Sequence, residues 1–307
     1  MTVEVCVCIP ARNEADRIAT LIDALATQDI DRPFGVALCV NNSSDDTGRI
    51  AQHAAARADG RFTLTQVACQ FEPSLAHAGS ARRAAMQLGV EILGRAGGLL
   101  ISTDADCRPP ADWVAANLAA SAPDRIVGGR IELDEDEAEE CPEIFAFRRH
   151  FDAYWRRVRA IEDRIDPSPW DPAPRHGDHT GASLALSVDL YRRSGGVPLQ
   201  PSGEDRALVE AAIAAGGKLV HPQTVWTRTS ARTTGRATGG MAEDLQRWID
   251  AEARGELPNV PHFDHWEARA MWRRDLRKDR GTTGLVEAER LLPPMPCDMT
   301  LPMIGSS

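Results

Sequence analysis

Short apolar runs alternate with amphipathic segments from Val3 to Ser121. "VEVCVCIP" is apolar and rich in β-formers, and it stops at Pro10. "EADRIATLIDALATQ" follows, with Ile18, Leu21, Ile22 and Leu25 at the spacing of one helical face. "FGVALCV" predicts a second strand, closed by the turn and cap residues of "NNSSDDTG". Asp46 or a neighbouring serine is placed to cap the helix "TGRIAQHAAARA". "RFTLTQVA", "SARRAAMQLGVEILGR", "GGLLIST" and "ADWVAANLAAS" then predict strand, helix, strand and helix.

Such alternation implies right-handed crossovers and an α/β, Rossmann-like fold, a mostly parallel central sheet flanked by helices. Sheets of this kind bind ligands in the crevice beyond the carboxyl ends of their strands. "ARNE", "NNSSDD" and "TDAD" each stand directly after a predicted strand. Past about residue 130 the pattern loosens. "ELDEDEAEE" reads as a solvated acidic run, "FAFRRHFDAYWRRVRAI" as an amphipathic helix, and "DPSPWDPAPRHGDHTG" as a long loop. "ASLALSVDLYRRSGG" predicts a strand and a short helix, "GEDRALVEAAIAAGG" a helix, and "KLVHPQTVWTRTS" one strand. A charged helical stretch from Gly240 to Arg290 and a Pro-rich tail complete the chain as a C-terminal extension.

Composition narrows the classes. The 307 residues carry a net charge of −10, which argues against the basic footprint that nucleic-acid binding needs. The seven cysteines include no CxxC pair, so buried free thiols in a reducing cytoplasm are expected rather than a zinc site. Neither a signal-peptide pattern nor an apolar run of about 18 residues is present, so no integral membrane segment is expected. Contact with the inner face of the membrane stays open.

The chemistry concentrates in "LLISTDADCRPP", where an apolar strand ends in Asp104 and Asp106. Two carboxylates in one turn can converge on a hard divalent cation, Mg2+ or Mn2+. Such a cation neutralises a departing diphosphate. In the same order along the chain stand "IPARNEADRI", "VNNSSDDT", "STDADCRP" and "PSGEDRAL". This ordered set resembles the family 2 glycosyltransferases with the GT-A fold, over roughly Val3 to Gly240.

The resemblance implies roles. Pro10, Ala11, Arg12 and Glu14 would line the nucleoside pocket. Asn41 and Asn42 stand where the family usually has aspartates that read a pyrimidine edge, which leaves the base open between UDP and GDP types. Arg82 would lie near the diphosphate. Asp106 would bind the metal directly, and Asp104 would contact the ribose or the metal through water. The family often adds a later histidine; His221 precedes that position, and Thr227 and Thr229 fall near it. Asp205 would be the general base of an inverting transfer, with Glu204 orienting the acceptor or an arginine. Gly181 would allow close approach of the donor sugar, and Arg228, Arg232 and Arg236 would clamp the diphosphate from a lid.

The expected organisation is a transferase domain over 1–240, with a donor half to about 130 and an acceptor half from about 131, followed by the extension over 241–307. The expected activity is metal-dependent transfer of a sugar from a nucleotide-diphosphate donor to the hydroxyl of a small molecule or lipid. Three rivals remain. A retaining transferase of the same fold would act on a small phosphorylated acid. A sugar-nucleotide pyrophosphorylase would need a Gly-rich loop after the first strand, which "ARNEAD" lacks. A non-catalytic nucleotide-sugar binding protein would bind the donor without turnover.

Overall fold

The computed structural model describes residues 4–137, 142–232, 246–247, 249–250 and 254–302, of which 96, 282 and 283 by backbone alone. In chain order its strands are β1 (Val5–Ala11), β2 (Phe34–Asn41), β3 (Phe62–Cys69), β4 (Leu99–Ser102), β5 (Cys107–Arg108), β6 (Arg125–Gly128), β7 (Arg130–Leu133), β8 (Leu184–Ser187), β9 (Lys218–Val220), β10 (Trp226–Thr229), β11 (Asn259–Val260) and β12 (Met299–Thr300). Its helices are α1 (Ile18–Ala26), α2 (Thr47–Ala56), α3 (Ala78–Leu93), α4 (Trp113–Ala120), α5 (Pro142–Ile165), α6 (Val188–Arg193), α7 (Glu204–Ala214) and α8 (Phe263–Arg290).

The described residues form two compact units. The first lies within Met1–Asp134 and Asp178–Ser230. The second lies within Glu135–Gly177 and, further on, Ala231–Gly235 and Gly239–Ser307.

The first unit is built on a seven-stranded sheet in the order β3-β2-β1-β4-β8-β6-β9. β3, β2, β1 and β4 run parallel, as do β6 and β9; β8 is antiparallel to both of its neighbours. β1 is covered on both faces, so Val5 to Ile9 are all buried and the strand reads as a continuous apolar run. β3 lies at the edge and carries Thr63, Thr65 and Gln66. α1 buries Ile18, Leu21, Ile22 and Leu25, the residues its spacing singles out. Each contributes roughly 1.5–3 kcal/mol by leaving water.

"KLVHPQTVWTRTS" divides rather than forming one strand. β9 joins the large sheet, and β10 joins a second sheet in the order β5-β10-β7. The break falls at the turn closed by the Val225 amide on the Pro222 carbonyl. β7 follows β6 through Gly129 alone. At its start, the Ile131 amide donates to Asp178 Oδ2 at 3.0 Å.

The second unit packs Phe147, Tyr154, Val158 and Ile161 of α5 with Val260, Phe263 and Leu301. Glu162 of α5 is buried there and is paired with Arg159, Arg175 and Arg273. Among the described residues, no helix is long and apolar enough to cross a membrane.

Candidate active site

The site starts where β4 ends. Ser102 and Thr103 are buried, and the chain then turns, leaving Asp104 and Asp106 half-buried on either side of buried Ala105. Burial, together with Asp104 and Asp106, pushes the Cys107 thiol well up, so it stays protonated. The metal-binding potential of this turn therefore rests on carboxylate oxygens, not sulfur.

Arg82, from the buried face of α3, is 5% exposed and joins distant parts of the chain. Its Nε donates to Glu204 Oε1 at 3.0 Å and its Nη2 to Asp104 Oδ1 at 2.8 Å. Its Nη1 donates to Ser102 Oγ at 2.8 Å and to the Gly181 carbonyl at 3.0 Å. Burial disfavours the guanidinium charge, but Asp104, Glu204 and Asp205 outweigh it and hold the group firmly protonated. Arg82, expected beside a diphosphate, thus has four protein acceptors. Gly181 sits against it so closely that a Cβ there would lie 2.2 Å from Arg82 Cζ. The glycine makes room for the guanidinium.

Gly203 adopts φ +69°, the left-handed conformation that glycine tolerates best, and so turns the chain into α7. Glu204 and Asp205 occupy the first turn, where the helix dipole favours negative charge. Glu204 points to buried Arg82. Asp205 is half-buried; its Oδ2 accepts from the Gly181 amide at 2.8 Å and its Oδ1 from the Arg206 amide at 2.7 Å. Two backbone donors thus fix the orientation of this carboxylate.

The turns after β1 and β2 are stapled to one another. The Asn13 amide donates to Ser43 Oγ at 3.0 Å, and Asn13 Oδ1 accepts from the Ser44 amide at 2.8 Å. Asp45 takes the Ala15 amide on Oδ2 and the Thr47 amide and hydroxyl on Oδ1. Slight burial would raise its carboxyl, yet these bonds hold it below the usual range. Asp46 stands at the N-cap position of α2, as the sequence suggested, but its side chain makes no capping bond, and Asp45 takes the Thr47 amide instead. Ala11 and Glu14 are buried, Pro10 and Arg12 half-buried, and Arg12 Nη1 donates to the Ala76 carbonyl at 2.8 Å. Asn42 spends its amide on the Phe71 backbone, donating to the carbonyl and accepting from the N–H at 3.0 Å each. Asn41 is 1% exposed; it reaches the His77 carbonyl at 3.4 Å, and its Oδ1 has no partner among the described residues.

Arg82, Asp104, Gly181, Glu204 and Asp205 are thus brought into one hydrogen-bonded cluster. Arg232 is half-buried within the second unit, and Arg236 lies outside the described residues. His221 is buried with its ring 5.8 Å from that of His179, and Thr227 and Thr229 are buried. Sequence reading missed Ser102, whose hydroxyl accepts from Arg82 and donates to the Gly181 carbonyl at 2.9 Å. A hydroxyl closing an otherwise apolar strand was its signal. It also missed Asp45.

A divalent cation fits this donor set. Asp104 is 37% exposed, and only its Oδ1 is engaged by Arg82, so Oδ2 has no partner among the described residues. Asp106 adds a second half-buried carboxylate. No group of three His, Cys, Asp or Glu side chains suited to a metal occurs among the described residues. Two protein carboxylates suffice for Mg2+, which keeps waters and takes phosphate oxygens.

Residues 6–143 match the family described as Glycosyl transferase family 2. Among solved structures, the chain is similar to the mannosyltransferase PcManGT from Pyrobaculum calidifontis, in complex with GDP-Man and Mn2+. The two share 18% identity, over 97% of this chain and 78% of that one, with a TM-score of 0.53. It is also similar to residues 1–349 of TarS from S. aureus, in complex with UDP-GlcNAc. Identity there is 15%, over 90% of this chain and 74% of that one, with a TM-score of 0.50. The likeness is one of fold, the GT-A arrangement. No curated protein matches the sequence.

Proposed function

We propose, from the match of residues 6–143 to Glycosyl transferase family 2, that the protein transfers a sugar from a nucleoside-diphosphate donor to an acceptor hydroxyl, with inversion at the anomeric carbon. One observation carries the proposal. The Gly181 peptide joins Asp205, through its amide, to Arg82, through its carbonyl, and Arg82 in turn holds Asp104. A candidate base and a candidate cation ligand therefore share one rigid support.

The donor half, to about residue 130, holds the nucleotide against the stapled turns, and the half from about 131 receives the acceptor. The GDP-Man and UDP-GlcNAc carried by the two similar structures support a GDP- or UDP-type donor. Asp106 and Oδ2 of Asp104 would hold Mg2+ or Mn2+, which supplies charge neutralisation to the departing diphosphate. Asp205 takes the proton of the acceptor hydroxyl as its oxygen forms the new bond to the anomeric carbon. The bond to the β-phosphate oxygen breaks on the opposite face. Gly181 and Arg206 keep the carboxylate aimed through this step, and Arg82 keeps Glu204 and Asp104 in place.

The test is thermal stabilisation by UDP, GDP and their sugars, with and without Mn2+, since a ligand that binds only the folded state raises the melting temperature. A shift for one base that needs the metal and vanishes in Asp106→Ala supports the reading. Absence of any shift at millimolar nucleotide overturns it. The anomeric configuration of the product, read by NMR, separates inversion from retention.

A further inference from the structure

The half-buried face of the small sheet carries a further arrangement of charge. Along β10, Thr227 and Thr229 are buried, so Trp226 and Arg228 lie on the other face. Arg228 stands directly opposite Arg108 of β5 and, on its other side, opposite Glu132 of β7. Like charges directly opposite each other on antiparallel strands repel. Arg108 is relieved by Asp134 at 2.5 Å, and Arg130 by Glu132 at 2.7 Å. Arg228 has no carboxylate partner among the described residues; its guanidinium lies over the Trp226 ring, 4.7 Å from the centroid. An anion bound at Arg228 would supply the charged partner that the guanidinium lacks among the described residues.

Position says which reactant brings that anion. Arg108 is two residues past Asp106, about 7 Å along an extended chain. The sheet continues from β6 through Gly129, and β6 lies beyond β4 on the side away from β1, β2 and β3, whose ends would carry the nucleotide. We infer that Arg228, with Trp226 beside it, forms a subsite for a phosphate group on the glycosyl acceptor, the ring taking the apolar face of the acceptor's sugar or polyol. This rests on the transferase reading above and specifies its acceptor as an anionic, phosphate-bearing compound. Trp226 both orients the guanidinium by a cation–π contact and offers a flat surface for stacking.

The test uses the full chain and matched acceptor pairs: glucose and glucose 6-phosphate, mannose and mannose 6-phosphate, glycerol and glycerol 3-phosphate. Binding is followed by calorimetry, and transfer by nucleotide release. At least one phosphorylated member is expected to bind, or to be used, tenfold or more better than its neutral partner. Arg228→Gln should erase most of that preference and Arg228→Lys only part of it, with UDP or GDP affinity in Mn2+ unchanged. Trp226→Leu should weaken the phosphorylated compound while leaving inorganic phosphate binding in place. Equal treatment of neutral and phosphorylated members throughout the panel overturns the inference. So does a loss of nucleotide affinity in Arg228→Gln equal to its loss of acceptor preference, which would assign the guanidinium to the donor diphosphate. Failure of every nucleotide to bind the wild type strikes the transferase reading itself, whereas intact nucleotide binding without phosphate preference strikes only this subsite. Ligand-free melting temperatures of the variants separate these outcomes from misfolding.

Discussion

The amide of Gly181 donates to Asp205 Oδ2 at 2.8 Å, while the carbonyl of Gly181 accepts from Arg82. A single residue of the loop before β8 therefore holds the carboxylate at the start of α7 and the guanidinium of α3 in one frame. Asp205→Asn keeps the size of the side chain and removes its basicity. Donor-induced stabilisation should persist, while turnover falls by roughly 10²–10⁴-fold. Turnover near that of the wild type would take Asp205 out of the mechanism.

Gly181→Ala places a methyl 2.2 Å from Arg82 Cζ. The guanidinium is held by four acceptors and cannot swing aside as a surface side chain would. The variant should lose about 1–3 kcal/mol, the usual cost of overpacking, together with most of its transfer activity. Urea unfolding and initial rates on the same preparation measure both losses.

Arg82 and Glu204 are each about 95% buried and paired across 122 positions of chain. Arg82→Met should cost about 3–5 kcal/mol, because it leaves Glu204 buried without its partner, and Glu204→Leu less, because Arg82 keeps Asp104. The double variant should cost clearly less than the two together. Additive losses in a double-mutant cycle would mean that the pair is not coupled.

The acid side of the stability curve should be set in part by Glu162. Burial alone would raise its carboxyl, but Arg159, Arg273 and Arg175 outweigh burial and hold it below the usual range. Its folded value thus lies below the unfolded one, near 4.3. Its contribution is complete above that value and is lost as the pH falls through the folded one. Glu162→Gln should be less stable at neutral pH and lose less further stability as the pH falls below the ordinary glutamate range, about 4.3. Melting temperatures across that window would show an unchanged slope if the carboxylate contributed nothing.

The alternation of strand and helix was legible because burial on one helix face or both strand faces writes its period directly into the sequence. Ile18, Leu21, Ile22 and Leu25 are the case in point. The antiparallel setting of β8 and the division of "KLVHPQTVWTRTS" between two sheets were not legible. Strand partners are chosen by packing between distant segments, and local composition is silent about them. The clustering of "TDAD" with "GED" was read through the family resemblance. The protein partners of Arg82 were not legible, since an arginine near acidic motifs looks the same in sequence whether or not it also meets the protein's own carboxylates. The backbone partner of Asn42 was hidden for a similar reason. An amide suited to a nucleobase is equally suited to a backbone, and here it takes that of Phe71.

The Arg82 cluster has a consequence for the order in which the protein comes into being. Its partners lie 20, 22, 99 and 122 positions further along the chain. During synthesis, β1 to β4 and the stapled turns leave the ribosome long before Gly181 and Glu204 do. Throughout that interval α3 carries a cation destined for the interior, without most of the groups that will hold it there. The cluster closes only after α7 has been made, through contacts of high sequence separation, which are the slow ones to form. Nascent chains that end before Glu204 hold the donor turns without a closed site, so the chemistry arrives in one late step, as the last long-range contacts join.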